Sequence, residues 1–107
     1  KKHADYDLVL TANRDEFYNR PTQAAHEWIE PSGLIAGKDL TAGGTWMGIT
    51  KSGKFAALTN YRDPAHINPS APSRGHLTKD YLTQDISPQN YLKKIKEEKL
   101  LKLQPQK

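Results

Sequence analysis

The sequence has no cysteine. This removes disulfides, zinc–thiolate centres and thiol nucleophiles from the 107 residues. There is also no apolar run approaching the ~20 residues that span a bilayer, and no secretory leader pattern. Nothing suggests secretion, and the expectation is a cytoplasmic protein. Apolar residues are scarce: the hydrophobic fraction is 36% and the mean hydropathy −0.82. That is little for the self-sufficient core of even one modest domain. Because the chain also opens on Lys1 rather than Met, it is expected to be the N-terminal portion of a single larger domain.

The net charge of +4 and pI near 9.3 raise the question of nucleic acid. Six lysines lie between Lys93 and Lys107, more than the whole excess. Nucleic-acid footprints interleave arginine and aromatics on one face; lysines along a polar helix and tail form a solvated surface instead. No nucleic-acid partner is expected.

Tyr6–Asn13, "YDLVLTAN", has strand periodicity, with Leu8, Leu10 and Ala12 on one face and Val9 and Thr11 on the other. "HEWIE" and "GLIAG" read as short extended pieces. Thr45–Thr50 and Lys54–Tyr61 flank Lys51-Ser52-Gly53, a hairpin signal, with Trp46, Ile49, Phe55, Ala57 and Leu58 as packing groups. Asp63–Ser73 reads as an irregular loop. Ser73 is placed to cap a helix to about Gln84, with Leu77, Tyr81 and Leu82 as its stripe. Ser87-Pro88 starts a second helix that buries Tyr91, Leu92 and Ile95. The order predicts an α+β fold, with helices covering one face of an antiparallel sheet.

Asn13-Arg14-Asp15-Glu16 carries the densest candidate chemistry, on a strand end that can aim side chains. Arg14 offers a planar fork for a carboxylate or polarised oxygen. Asp15 could stay ionised beside it and orient a nucleophile or amine. The same residues also fit a plain arginine–carboxylate clamp that fixes the loop. Gly43-Gly44-Thr45-Trp46 leads into a strand rather than a helix, which excludes a phosphate-cradling loop. Trp46 fits either the core or a ligand shelf. Asn60 could donate to an oxyanion or bond its own turn. His3, His26, His66 and His76 have no metal-ligand spacing, so neither metal nor cofactor is expected.

"LTANRDEFYNRP", "AGGTWMGIT", "FAALTNYRDP" and "SRGHLTKDYL" occur in the order seen in the NRDE, or Transport and Golgi organization protein 2-like, family. The resemblance covers about residues 6–95 and leaves 96–107 as a polar tail. This family in turn resembles the N-terminal nucleophile (Ntn) hydrolases of the penicillin V acylase and bile-salt hydrolase branch. The resemblance implies a partial αββα sandwich and a nucleophilic cysteine upstream of residue 1, whose own α-amine is the base. It also implies supporting roles for Arg14 and Asp15 and an oxyanion role for Asn60, with Asn13, Glu16 and Trp46 around the substrate. The expected activity is hydrolysis of a C–N amide in a small acylated metabolite, with the 107 residues inactive alone. The alternative is a non-enzymatic carrier of lipid or haem on the same fold. An interaction module, supported only by the lysine-rich tail, is a third reading.

Overall fold

Lys51-Ser52-Gly53 interrupts two apolar runs, and the chain reverses there. Gly53 adopts φ +99°, the left-handed backbone that a three-residue hairpin loop requires at its last position. Its N–H donates to the Thr50 carbonyl at 3.0 Å, and the Thr50 hydroxyl accepts from Lys54 N at 3.0 Å. The computed structural model in which this turn is seen describes residues 3–30, 32–59 and 73–103, with side chains through Glu98.

The turn joins β3 (Met47–Thr50) to β4 (Phe55–Ala57), the last two strands of a four-stranded antiparallel sheet. β1 (Thr22–Glu27) and β2 (Leu34–Asp39) precede them, and neighbours in sequence are neighbours in the sheet. Two helices follow, α1 (Gly75–Thr83) and α2 (Pro88–Leu103). The expected α+β architecture is present. No helix of the described residues is long and apolar enough to cross a membrane.

The core lies between sheet and helices: Trp28, Leu34, Ala36, Tyr81, Leu82 and Tyr91 are buried, with Ala56, Ile86 and Ile95 packed against them. Gly48 makes room for α1, since a Cβ there would come within 2.9 Å of Leu82 Cδ1 and 3.0 Å of the Ala36 Cβ. Trp28 donates its indole N–H to the Ala36 carbonyl at 3.0 Å, so its one polar atom is satisfied inside the core. Lys54 caps the far end of α1. Its ammonium donates to the carbonyls of Tyr81, Gln84 and Ile86 and lies 4.8 Å from the Tyr81 ring centroid. A cation there satisfies carbonyls at the negative end of the helix dipole. Tyr91 on α2 donates its hydroxyl to the Leu77 carbonyl, and burial, followed by the charges of Asp80 and Glu98, raises its phenol pKa.

Several sequence expectations change. Tyr6–Asn13 forms no strand, and Leu8, Val9 and Leu10 are 73%, 59% and 50% exposed. Alternation makes a segment strand-competent, but a strand exists only through its ladder, and no ladder forms here among the described residues. Ile35, Ile49 and Phe55 form one cross-strand row. Ile49 and Phe55 in that row are exposed rather than core, because the helices cover the opposite face. Leu77 and Leu92 also point outward, while Thr78 takes the buried place on α1. The helix begins at Gly75 with Arg74 at the N-cap; Ser73 sits one residue earlier, and its hydroxyl accepts from Gly75 N at 3.3 Å. Ser87 does cap α2, accepting from Asn90 N at 3.2 Å. Residues 60–72, which include the expected irregular loop, Asn60 and His66, lie outside the described residues.

Thr78 and the shifted start of α1 have one cause. The glycines before β3 meet the start of α1 backbone to backbone. A Cβ on Gly44 would lie 2.6 Å from the carbonyl carbon of Gly75, and Thr45 N donates to the Gly75 carbonyl at 3.2 Å. The Thr78 hydroxyl then donates to the carbonyl of Thr45 and lies 2.9 Å from that of Gly75. "GGT" and "RGH" are thus two halves of one contact. Neighbouring Gly43 is glycine for a different reason, a φ of +84° with open space around it. In the full-length protein, Gly44→Ala should cost about 1–3 kcal/mol through overpacking. Gly43→Asn should stay closer to wild type, because asparagine tolerates left-handed backbone. Thermal melts of the two variants check this; the reverse order would refute the contact.

Candidate functional site

Asp39 ends β2 almost wholly buried, at 7% exposure. A buried carboxylate needs partners, and Arg20 supplies two. Arg20 Nε donates to Oδ1 at 3.2 Å and an Arg20 NH2 donates to Oδ2 at 2.7 Å, the fork-to-fork geometry that arginine offers a carboxylate. Thr41 N adds a third bond to Oδ1 at 3.0 Å. These bonds hold the Asp39 carboxyl below its ordinary value, the Arg20 hydrogen bond acting most strongly against the opposing effect of burial. The same bond raises the Arg20 guanidinium pKa. Around the pair, Leu40 N donates to the Pro21 carbonyl at 3.1 Å and Gly43 N to the Asp39 carbonyl at 2.7 Å. The polar stretch before β1 is thereby fixed to the β2–β3 connection.

Arg14 is held differently. Its guanidinium carbon lies 4.2 Å from the ring centroid of Trp46, and one NH1 proton goes to the Thr22 hydroxyl at 3.0 Å. The indole rests on Gly37 of β2, where a Cβ would fall 2.4 Å from Trp46 Cη2. Gly37, Trp46 and Arg14 therefore form a stack, with a planar cation as its outermost layer. Beside it opens a cleft of about 430 Å³, lined by Arg14, Phe17, Tyr18, Arg20 and Thr22 among others. Phe17 and Tyr18 are highly exposed.

Of the residues singled out from sequence, Arg14 and Trp46 are brought into contact. Asn13 and Asp15 are exposed. Glu16 accepts from Phe17 N at 2.9 Å, and its second oxygen is 3.9 Å from Arg20 Nε. An arginine–carboxylate clamp is present, but it is made by Arg20, outside the Asn13–Glu16 motif. Arg20 is the clamp that fixes the loop, whereas Arg14, among the described residues, enters no ion pair with a carboxylate. Arg20, Thr22, Gly37 and Asp39 escaped the sequence reading. Asp39-Leu40-Thr41 did carry the signal of an aspartate bonding its own turn, but nothing local ties it to an arginine 19 positions earlier.

A profile of the Transport and Golgi organisation 2 family matches residues 1–104. The chain belongs to that family. The mouse Transport and Golgi organization 2 homolog is 48% identical over 96 residues, covering 87% of this chain and 34% of the relative. The bovine Transport and Golgi organization protein 2 homolog is 47% identical over the same span and shares. The fruit-fly (Drosophila melanogaster) Transport and Golgi organization protein 2 is 36% identical over 85 residues, covering 74% of this chain and 30% of the relative. The chain spans about a third of the length of these Transport and Golgi organisation 2 relatives. The NRDE resemblance read from the motifs names the same family.

The Asp39 pair makes stability depend on pH in a defined direction. Its folded pKa lies below the ordinary 3.8. The stabilisation is therefore complete above the ordinary carboxylate range and is lost as pH falls through the folded value. Asp39→Asn should cost roughly 1.5–3 kcal/mol at neutral pH, the worth of hydrogen bonds to a charged group. The gap to wild type should narrow on acidification below the ordinary value. Urea melts of both proteins across that range check the sign.

Proposed function

We propose that the Arg14 platform is part of a hydrolase site of the N-terminal nucleophile kind, acting on a C–N amide bond in a small acylated metabolite. The observation that carries this reading is the Gly37–Trp46–Arg14 stack. It presents a planar, permanently charged fork at a cleft edge, backed by β2 and by the residue that precedes β3. Arg14 receives the oxygen-bearing end of the substrate and favours the thiolate of a cysteine lying N-terminal to residue 1 in the full-length protein. Asp15, next to it in the chain, orients the α-amine that acts as base. Asn60 supplies the oxyanion donor, and Asn13, Glu16 and Trp46 surround the substrate. A fixed cation beside a thiol lowers its pKa and raises the reactive fraction at neutral pH.

A second reading, carriage of a lipid or haem without cleavage, draws on the exposed aromatic rings of Phe17 and Tyr18 along the same cleft. Intact-mass spectrometry of the full-length protein after brief iodoacetamide treatment, with mapping of the N-terminal peptide, separates the two. The hydrolase reading expects a Met-free N-terminal cysteine that alkylates fast, and roughly tenfold more slowly in Arg14→Gln or Asp15→Asn. A retained Met, or a thiol no more reactive than that of a free peptide, overturns it.

A further inference from the structure

The site's charge and shape narrow its ligand. Arg20 is neutralised by Asp39 and flanked by Glu16, so the fork of Arg14 is the cation at this cleft with no carboxylate partner among the described residues. Its guanidinium carbon sits 4.2 Å from the Trp46 ring centroid and one N–H is committed to the Thr22 hydroxyl, two contacts that restrain the fork and leave its other N–H groups to a ligand. A restrained planar fork favours a planar two-oxygen acceptor. A dianionic phosphate fits less well: among the described residues one cation without a carboxylate partner is offered, and the Glu16 carboxylate lines the same cleft. Phe17 and Tyr18, exposed on the same cleft, give an apolar surface for the body that carries the acid.

We infer that the cleft binds a monocarboxylate borne on an aromatic or extended apolar group, with the carboxylate on Arg14 and the apolar body along Phe17 and Tyr18. The assignment names the ligand of the site proposed above and rests on Arg14 facing it, but it does not require that any bond be cleaved.

The test uses full-length protein and three probes: 4-phenylbutyrate, its neutral counterpart 4-phenylbutyramide, and phenyl phosphate. Binding is followed by calorimetry and by the emission of Trp46, isolated by comparison with Trp46→Phe. The expected result is saturable binding of the acid, with the amide and the phosphate at least about tenfold weaker, as for loss of one charge-assisted fork. Arg14→Gln should remove the preference for acid over amide, and Arg14→Lys should restore it only in part, since an ammonium cannot meet both oxygens in plane. Equal affinity for acid and amide in the wild type, tighter binding of the phosphate, no binding of the acid, or an unchanged preference in Arg14→Gln each overturns the inference. The wild-type comparison stands even if a variant folds poorly. Acid binding without a reactive N-terminal thiol would leave this inference intact and remove the hydrolase; a reactive thiol without acid selectivity would do the opposite.

Discussion

A carboxylate taken out of water must be surrounded by donors, and Asp39 meets that demand by drawing on separate stretches of chain. The guanidinium of Arg20 comes from before β1 and the N–H of Thr41 from the turn that follows β2, while Asp39's own carbonyl accepts from Gly43 at the start of the glycine pair. Other ties between the polar stretch from Asn13 to Pro21 and the sheet region, among the described residues, include the Arg14–Thr22 bond, the Arg14–Trp46 contact and the Leu40–Pro21 backbone bond. The pair fixes Arg20, which lines the cleft, to the end of β2. The ion pair is thus less a source of net stability than a means of registering a loop against a sheet, which is where partly buried pairs have their best-attested use.

The separation of labour between Arg14 and Arg20 follows from this. Six positions apart in one charged stretch, the two have the same side chain and opposite surroundings. Arg20 is consumed by carboxylates, whereas Arg14 is spread over an indole, which attracts a cation without neutralising it. Function belongs to the site and not to the fold that carries it. Here Gly37 contributes to the difference between the two arginines, since the absence of its side chain leaves room for the Trp46 ring over which Arg14 is placed.

Features whose cause is local were readable in the sequence. Gly53 announces the hairpin because only its own backbone must be left-handed, and Ser87-Pro88 announces α2 because cap and first turn are adjacent in the chain. Features whose cause is distant were not. "YDLVLTAN" has the alternation of a strand, yet pairing is a property of two segments. Thr78 rather than Leu77 is buried because a hydroxyl on α1 is needed at the Thr45 carbonyl, a demand that periodicity cannot express. For the site, the motif drew attention to Arg14 and Trp46 separately. Their contact, and the Arg20–Asp39 clamp beside them, depend on how the β2–β3 connection folds back. Asn60 lies outside the described residues, so its reading rests on sequence alone.

The meeting of Gly44 and Gly75 has a consequence for how this chain can vary. Where two side chains touch, a larger residue at one position can be accommodated by a smaller one at the other, and such pairs drift together over generations. Two glycines in backbone contact have nothing left to shrink. Neither position has a second-site remedy in its partner, so the two should not covary, and Gly44, where an added Cβ would come within 2.6 Å of backbone, should be the more strictly fixed. A substitution at Gly44 would then act through the amount of folded protein, even though the residue lies inside a motif that invites a chemical explanation.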